Sequence, residues 1–210
     1  MYKELLKFQK DNNLDSNTSY FDCKGNPTEC KVFLVGYTPS KELNTTTNFW
    51  NYFKEDNLFR FDEWMADYKK DVSPKYKNGL KPTRKRIETL RSNLEKAKIN
   101  LLNCTIFVSP SLKKEDLKSK YKQVEILDLL LNEIHPSFLI LQGTDTQQYF
   151  SAKYVKDSPK FKEWKVYEVT LNDTKIKILP VPHLFDLAMS AQQNPTENIE
   201  VLSKLISSNL

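Results

Sequence analysis

Cysteine is scarce in this sequence, which contains only Cys23, Cys30 and Cys104. An odd and sparse set is typical of a protein from a reducing compartment rather than of a secreted disulfide scaffold. These thiolates are also too few to hold a four-cysteine zinc site or iron–sulfur cluster unaided. We therefore expect small buried or indifferent thiols and no iron–sulfur cluster. We also expect no metal ion and no other cofactor.

Long hydrophobic runs are missing as well. The opening residues, MYKELLKFQKDN, form a charged amphipathic pattern without the apolar core of a signal peptide, and no other segment approaches membrane-spanning length. The sequence thus predicts a soluble, cytoplasmic protein with no membrane partner. Its 210 residues can bury a core without disulfides. We expect one globular, monomeric unit, in which a helix and packed extension over residues 1–30 precede the main domain over 31–210.

Histidine is rare too, with only His135 and His183. This shortage, together with the lack of a Gly-x-Ser-x-Gly elbow around Ser109 or Ser111, argues against a serine hydrolase. The net charge of +5 is a mild basic excess that favours a polyanionic partner such as DNA. A lysine-rich and asparagine-rich composition with four glycines can equally reflect codon bias.

The most informative segment begins with four apolar residues at 32–35, VFLV, which suit a strand covered on both faces in a parallel sheet. Gly36 then allows a sharp turn, and the proline at 39 forbids continuation of the strand. Tyr37, Thr38 and Ser40 should therefore be presented at its carboxyl end. In open α/β sheets, ligands bind at that edge.

The next segment carries a helix signal. Residues 44–48, NTTTN, are all of N-cap type, and Phe49 opens the aromatic run FWNYF at helical spacing. This pattern predicts a helix whose first N–H groups can hold a phosphate. A loop followed by an ordinary core helix fits the same residues.

Further strands are predicted along the chain. The segment CTIFV at 104–108 ends in Ser-Pro-Ser, much as the first strand ends in Thr-Pro-Ser, so the two turns suggest two lips of one pocket. Residues 138–142, FLILQ, end at a glycine, and residues 164–170 alternate like a hairpin partner of the last strand at 175–181. With helical patterns between them, these segments indicate an α/β fold with a mostly parallel central sheet.

A cluster of positive charge marks the start of a long helix. The residues KPTRKR precede IETLRSNLEKAKINLL, whose apolar positions predict a helix from residue 87 to residue 101. Positive charge at a helix N-terminus opposes the macrodipole, and a bound anion would offset that effect. A solvated basic turn is the alternative. The predicted phosphate-binding rim comprises these residues and two serines of the polar turns: Lys81, Arg84, Lys85, Arg86, Ser40 and Ser111.

Taken in order, five short motifs resemble the uracil-DNA glycosylase superfamily over most of the chain: GYTPS with NFW, PTRKRIE, TIFVSPS, LILQG and PVPHLF. The first is similar to the Gly-x-Asn-Pro-Gly and Asn-x-Phe-Trp motifs of the mismatch-specific branch, and PTRKRIE to uncharacterised bacterial members. The resemblance implies a three-layer α/β/α fold with a central, mostly parallel four-stranded sheet, and DNA as the partner. It also implies that a base is flipped out of the DNA stack, bound at the strand ends and released by hydrolysis of its N-glycosidic bond.

The resemblance places the catalytic chemistry at Thr38 and His183. Thr38 stands where the family has an Asp or Asn that positions or activates water, and His183 stands where a histidine stabilises charge on the departing base. A neutral hydroxyl can orient water but cannot act as a general base at neutral pH. Two functions therefore stay open, a weak glycosylase and a catalytically silent protein that recognises nucleic acid, a nucleotide or a protein partner.

The remaining roles also follow from the resemblance. The base-binding positions are Gly36, Tyr37, Phe49, Thr105 and Ser109. Among them, an aromatic ring at 37 or 49 would stack on the base, and the hydroxyl at 105 or 109 falls near the position where the family reads the base with an Asn. Leu184 and Phe185 would lie on the loop that wedges into the duplex.

Overall fold

The computed structural model describes residues 1–16, 18–38, 48–72, 76, 80–108, 124–155, 161–171, 174–184 and 195–210. The predictions for Ser40, Ser109, Ser111 and Phe185 lie outside these residues. The helices are α1 Tyr2–Asp11, α2 Phe61–Val72, α3 Pro82–Lys96, α4 Leu127–Ile134, α5 Thr144–Tyr154 and α6 Pro195–Ser207. The strands are β1 Phe21–Asp22, β2 Val32–Gly36, β3 Leu101–Thr105, β4 Phe138–Gln142, β5 Tyr167–Leu171 and β6 Thr174–Val181.

The strands form one mixed sheet of six, in the order β1-β3-β2-β4-β6-β5. The neighbours β3, β2, β4 and β6 run parallel, while β1 and β5 pair antiparallel at the two edges. The predicted α/β class is confirmed, but the described sheet has six strands rather than four. The first edge strand escaped prediction because its two residues are too few to show a pattern, and β5 adds the hairpin partner of β6 to the sheet.

Alternate residues of each central strand enter two different hydrophobic clusters. Val32 and Leu34 pack with apolar residues of α3 and α6. Phe33 and Val35 belong to the other cluster, which contains apolar residues of α1, α4 and α5. Helices therefore contribute to the burial of both faces of β2, and this is why the strand reads as a continuous apolar run rather than as an alternating one.

The boundary between α3 and β3 differs from the prediction. The helix ends at Lys96, and Lys98 adopts a positive φ of 58°, which turns the chain out of the helix. Leu101 continues the helical spacing in the sequence, but it is the first residue of β3 and packs in the same cluster as Leu90 and Leu94. The predicted strand at 104–108 consequently begins three residues too late.

The aromatic segment after residue 48 forms a single 3₁₀ turn, Phe49–Asn51, rather than the predicted helix. The side chain of Asn48 does cap this turn, because its oxygen accepts a hydrogen bond of 3.0 Å from the backbone N–H of Trp50. Phe53 then forms an isolated bridge with Phe59, which ends any helical continuation. The phosphate-binding helix N-terminus expected here is therefore absent from the described residues.

Candidate functional site

Strand register brings several predicted residues to one edge of the sheet. Gly36, the last residue of β2, lies opposite Thr105, the last residue of β3. Gln142 at the end of β4 lies opposite Val181 at the end of β6, so His183 follows two residues beyond the same edge. We define the carboxyl-edge site as Gly36, Tyr37, Thr38, Thr105, Gln142, Gly143 and His183.

Gly36 allows a close approach within this site. A Cβ atom added there would lie 3.1 Å from Nε2 of Gln142 and 3.5 Å from Cγ2 of Thr105. Contacts as short as 3.1 Å force a neighbour to move, so any larger residue at position 36 would displace the Gln142 amide. At Gly36, a predicted base-binding position, the side-chain amide of Gln142 therefore packs directly against the backbone.

Gln142 is the functional candidate that sequence reasoning missed. Its side chain is only 7% exposed, and its Oε1 atom is buried without a hydrogen-bond partner among the described residues. Buried polar atoms in native proteins are almost always paired, so an orphan acceptor needs an explanation. The available signal was the polar residue that ends the apolar strand FLILQ directly before a glycine.

Gly143 and His183 form the other side of the site. Gly143 has a φ of 83°, and its N–H donates a 2.9 Å hydrogen bond to the carbonyl of Val181. A Cβ atom added to Gly143 would lie 3.7 Å from Cβ and 3.8 Å from Cδ2 of His183. The exposed His183 therefore lies directly against the residue that follows Gln142.

Tyr37 contributes an aromatic wall. Its ring contacts Phe107, with centroids 5.3 Å apart, and Tyr149, with centroids 6.3 Å apart. The hydroxyl of Tyr149 donates a 2.6 Å hydrogen bond to Glu125. Burial, together with the hydrogen bond and charge of Glu125, raises the pKa of Tyr149, so this phenol stays protonated. Tyr37 is half-buried and remains the aromatic candidate for stacking on a base.

The two threonines of the site are both half-buried. The hydroxyl of Thr105 donates a 2.8 Å hydrogen bond to the carbonyl of Phe107, and its methyl group faces Gly36. Because a hydroxyl has a single proton to donate, Thr105 can only accept a hydrogen bond from a ligand. Thr38 lies two residues beyond the end of β2.

Two predicted contact residues lie in the core instead. Phe49 is buried, and its ring packs edge-on against Tyr20 and Phe21, with centroid distances of 4.9 Å and 5.2 Å. Leu184 is fully buried in the cluster formed with α3 and α6. The prediction of Phe49 as a stacking ring and of Leu184 as a wedge is therefore wrong for this conformation, because neither side chain reaches a ligand at the surface.

Arg84 also lies inside the protein, although it was predicted on the phosphate-binding rim. Its guanidinium is 4% exposed and donates to both carboxylate oxygens of Asp22 at 3.1 Å and 2.9 Å and to Glu88 at 3.0 Å. Its carbon Cζ lies 4.7 Å from the ring centroid of Trp64. Burial lowers the pKa of Arg84, but the charge and hydrogen bonds of Asp22 and Glu88 outweigh that effect and raise it overall. Carboxylates of the protein, rather than a phosphate, balance this charge.

The other cations of the rim differ in exposure. Lys85 is exposed, whereas Lys81 is half-buried and burial lowers its pKa. Arg86 donates a 2.6 Å hydrogen bond to the carbonyl of Leu184, the residue directly after His183. Arg86 is thus placed to hold the segment that carries His183, and Lys85 is the exposed residue among the described members of the rim.

Comparison with known proteins does not identify the chain. No protein-family model matches it, and no curated protein sequence matches it significantly. In the part of the chain that the structure describes, no group of three or more His, Cys, Asp or Glu side chains is arranged to hold a metal ion. Within the same ranges, no helix combines the length and apolar character needed to cross a membrane. The chemistry of the carboxyl-edge site is therefore the basis for a functional proposal.

Proposed function

We propose that this protein binds a nucleobase flipped out of DNA at the carboxyl-edge site and hydrolyses the N-glycosidic bond of a deaminated or damaged base. The observation that carries the proposal is the buried Oε1 atom of Gln142, which has no hydrogen-bond partner among the described residues and belongs to a side chain whose Nε2 atom packs against Gly36. A planar amide at a strand end can read the edge of a base, because it offers one donor and one acceptor side by side.

The reaction follows from the groups at this edge. As the N-glycosidic bond breaks, its electron pair leaves with the base, and the sugar C1′ acquires positive charge. Hydrogen bonding from His183 stabilises the negative charge on the base, while Thr38 orients the water whose oxygen bonds to C1′. Of the two protons of that water, one remains in the new hydroxyl group and the other neutralises the released base.

The proposal includes the corresponding fold, three layers with a four-stranded parallel centre. Two observations support it, the parallel pairing of β3, β2, β4 and β6 and the two hydrophobic clusters that alternate strand residues enter. DNA is the proposed partner, supported by the net charge of +5 and by the exposure of Lys85 beside the half-buried Lys81 and Arg86.

A second candidate function is recognition without catalysis. It is favoured by Thr38, because its neutral hydroxyl cannot accept the proton of the attacking water at neutral pH. In this case, the same edge would bind a base or nucleotide, and the glycosidic bond would stay intact.

Base release separates the two functions. Single-stranded and mismatched oligonucleotides that carry uracil, hypoxanthine or xanthine are incubated with wild type, His183→Ala and Thr38→Ala, and free base is measured. A glycosylase should release base, with loss by a factor of about 100 or more in His183→Ala and a smaller loss in Thr38→Ala.

The matched control is His135→Asn, because His135 is the second histidine, lies at the C-cap of α4 and has a φ of 54° that asparagine tolerates. Its release rate should equal that of wild type. Salt-sensitive DNA binding without any release would establish the silent binding protein. Neither release nor binding would contradict both candidate functions.

A further inference from the structure

The two buried glutamines at this end of the sheet differ in how their amides are satisfied. Gln147, on α5, is 8% exposed, and its Nε2 atom donates to the carbonyls of Val181 at 2.9 Å and Leu141 at 3.4 Å. Gln142 is buried to the same degree, yet its Oε1 atom has no partner among the described residues. The Gln147 amide therefore stabilises the fold through its hydrogen bonds, whereas the carbonyl oxygen of Gln142 is an acceptor that a ligand can use.

The unpaired Oε1 atom of Gln142 limits which chemical groups can bind to it. A carbonyl oxygen can only accept, so it is satisfied by a group that carries a proton. The hydroxyl of Thr105, at the end of β3, already gives its proton to the carbonyl of Phe107. A ligand that enters beside Gly36 must therefore bring its own donor to Gln142.

Among nucleobases, those with a lactam edge meet this requirement with a ring N–H, and thymine and guanine carry such an edge as well as the deaminated bases. Uracil presents N3–H, and hypoxanthine and xanthine present N1–H, each flanked by a carbonyl oxygen that can accept from the amide nitrogen of Gln142. A lactam edge of this kind pairs with both halves of one amide. An N-methylated lactam loses the donor and leaves Oε1 buried and unpaired, which is the costly outcome.

We infer that Gln142 is a specificity-determining residue of the carboxyl-edge site and selects a base with a lactam N–H at its Watson–Crick edge. This inference rests on the proposed nucleobase binding. It does not depend on catalysis, since a silent binding protein would use the same contact.

The test measures binding of single-stranded oligonucleotides that carry one deoxyuridine or one N3-methyldeoxyuridine, with deoxyinosine and N1-methyldeoxyinosine as a second pair. Fluorescence anisotropy with wild type should show at least about tenfold weaker binding of each methylated base. In Gln142→Met, which removes the amide at similar volume, the difference within each pair should shrink to less than about twofold. Steric exclusion of the methyl group would instead persist in that variant.

Gln147→Met is the matched control, and thermal unfolding provides a second readout. Gln147→Met loses two hydrogen bonds to backbone carbonyls, so its melting temperature should fall by about 2–4 °C or more while the preference for the unmethylated bases is retained. Gln142→Met should melt at or above the wild-type temperature, because it removes an unpaired buried acceptor.

Three results would overturn the inference. Equal binding of methylated and unmethylated bases by wild type would show that the site binds bases without reading this N–H, and nucleobase binding would still stand. Retention of the preference in Gln142→Met would assign the reading to another residue. Absence of any base-dependent binding by wild type would refute the proposed function together with this inference.

Discussion

Asp22 joins the sheet to α3 through a buried charge network. Its carboxylate accepts hydrogen bonds from Arg84, Arg91 and the side chain of Asn103, the last at 2.7 Å. Burial raises the pKa of Asp22, but the two arginine charges and the hydrogen bonds from Arg84 and Asn103 outweigh that effect and lower it overall. The folded protein therefore favours the ionised carboxylate, which compensates two buried guanidinium groups.

Replacement of Asp22 by Asn should lower the free energy of unfolding by about 3–5 kcal/mol, because it leaves buried arginines without their main counter-charge. The depressed pKa means that the stabilisation is complete above the unfolded value of about 3.9 and is lost as the pH falls through the folded value. Urea titrations between pH 2 and 7 should show this acid-dependent loss in wild type and a much weaker one in Asp22→Asn.

The matched control for this experiment is Asp56→Asn. Asp56 pairs with Arg60 at the surface, where solvent screens the interaction, so its replacement should leave stability almost unchanged. Equal stability of Asp22→Asn and Asp56→Asn would show that the buried network does not hold α3 against the sheet.

At the scale of elements, α3 divides its basic residues between two environments. Arg84 and Arg91 point inward to Asp22, while Lys85 lies on the exposed side. Sequence spacing shows the charges of the helix start, but it does not show which of them finds an internal carboxylate 62 residues earlier in the chain.

This division predicts different phenotypes for neighbouring cations. Lys85→Gln should weaken DNA binding, reduce the slope of log affinity against log salt by about 1 and leave the melting temperature unchanged. Arg84→Gln should destabilise the fold, because it breaks the pair with Asp22. Anisotropy at several salt concentrations and thermal unfolding measure the two effects. An unchanged salt slope in Lys85→Gln would remove Lys85 from the proposed DNA contact.

The central strands were predictable because β2 and β4 are buried on both faces and read as short apolar runs between turn residues. The 3₁₀ turn after Asn48 was not predictable from the sequence, because aromatic residues at helical spacing can also pack together around such a turn. Leu101 was wrongly predicted in the helix for the same reason, since it packs in the same cluster as Leu94 but belongs to a strand. The spacing of apolar residues indicates which residues pack together. It does not decide whether the backbone there is a helix, a turn or a strand, because that depends on tertiary contacts.

For the molecule as a whole, parallel topology explains how three of the predicted site residues come to share one edge of the sheet. Gly36, Thr105 and His183 are far apart in sequence, yet each follows or ends a strand of one sheet, so they converge at the same edge. Phe49 and Leu184 were assigned outward roles because aromatic and leucine side chains serve equally in a core and at a DNA surface. Gln142 escaped because nothing in the sequence shows that a strand-end amide is buried without a partner.

The proposed function requires a nucleobase to bind against Gln142 at the carboxyl edge. The most direct measurement is a titration of ¹⁵N-labelled protein with uracil or hypoxanthine, followed through the side-chain amide signals of Gln142. We expect these signals to shift saturably while those of Gln147 stay in place, and Gly36→Val, whose side chain would displace the Gln142 amide, should abolish the ligand-dependent shift. No saturable change at Gln142, or saturable changes confined to another surface, would refute nucleobase binding at this site.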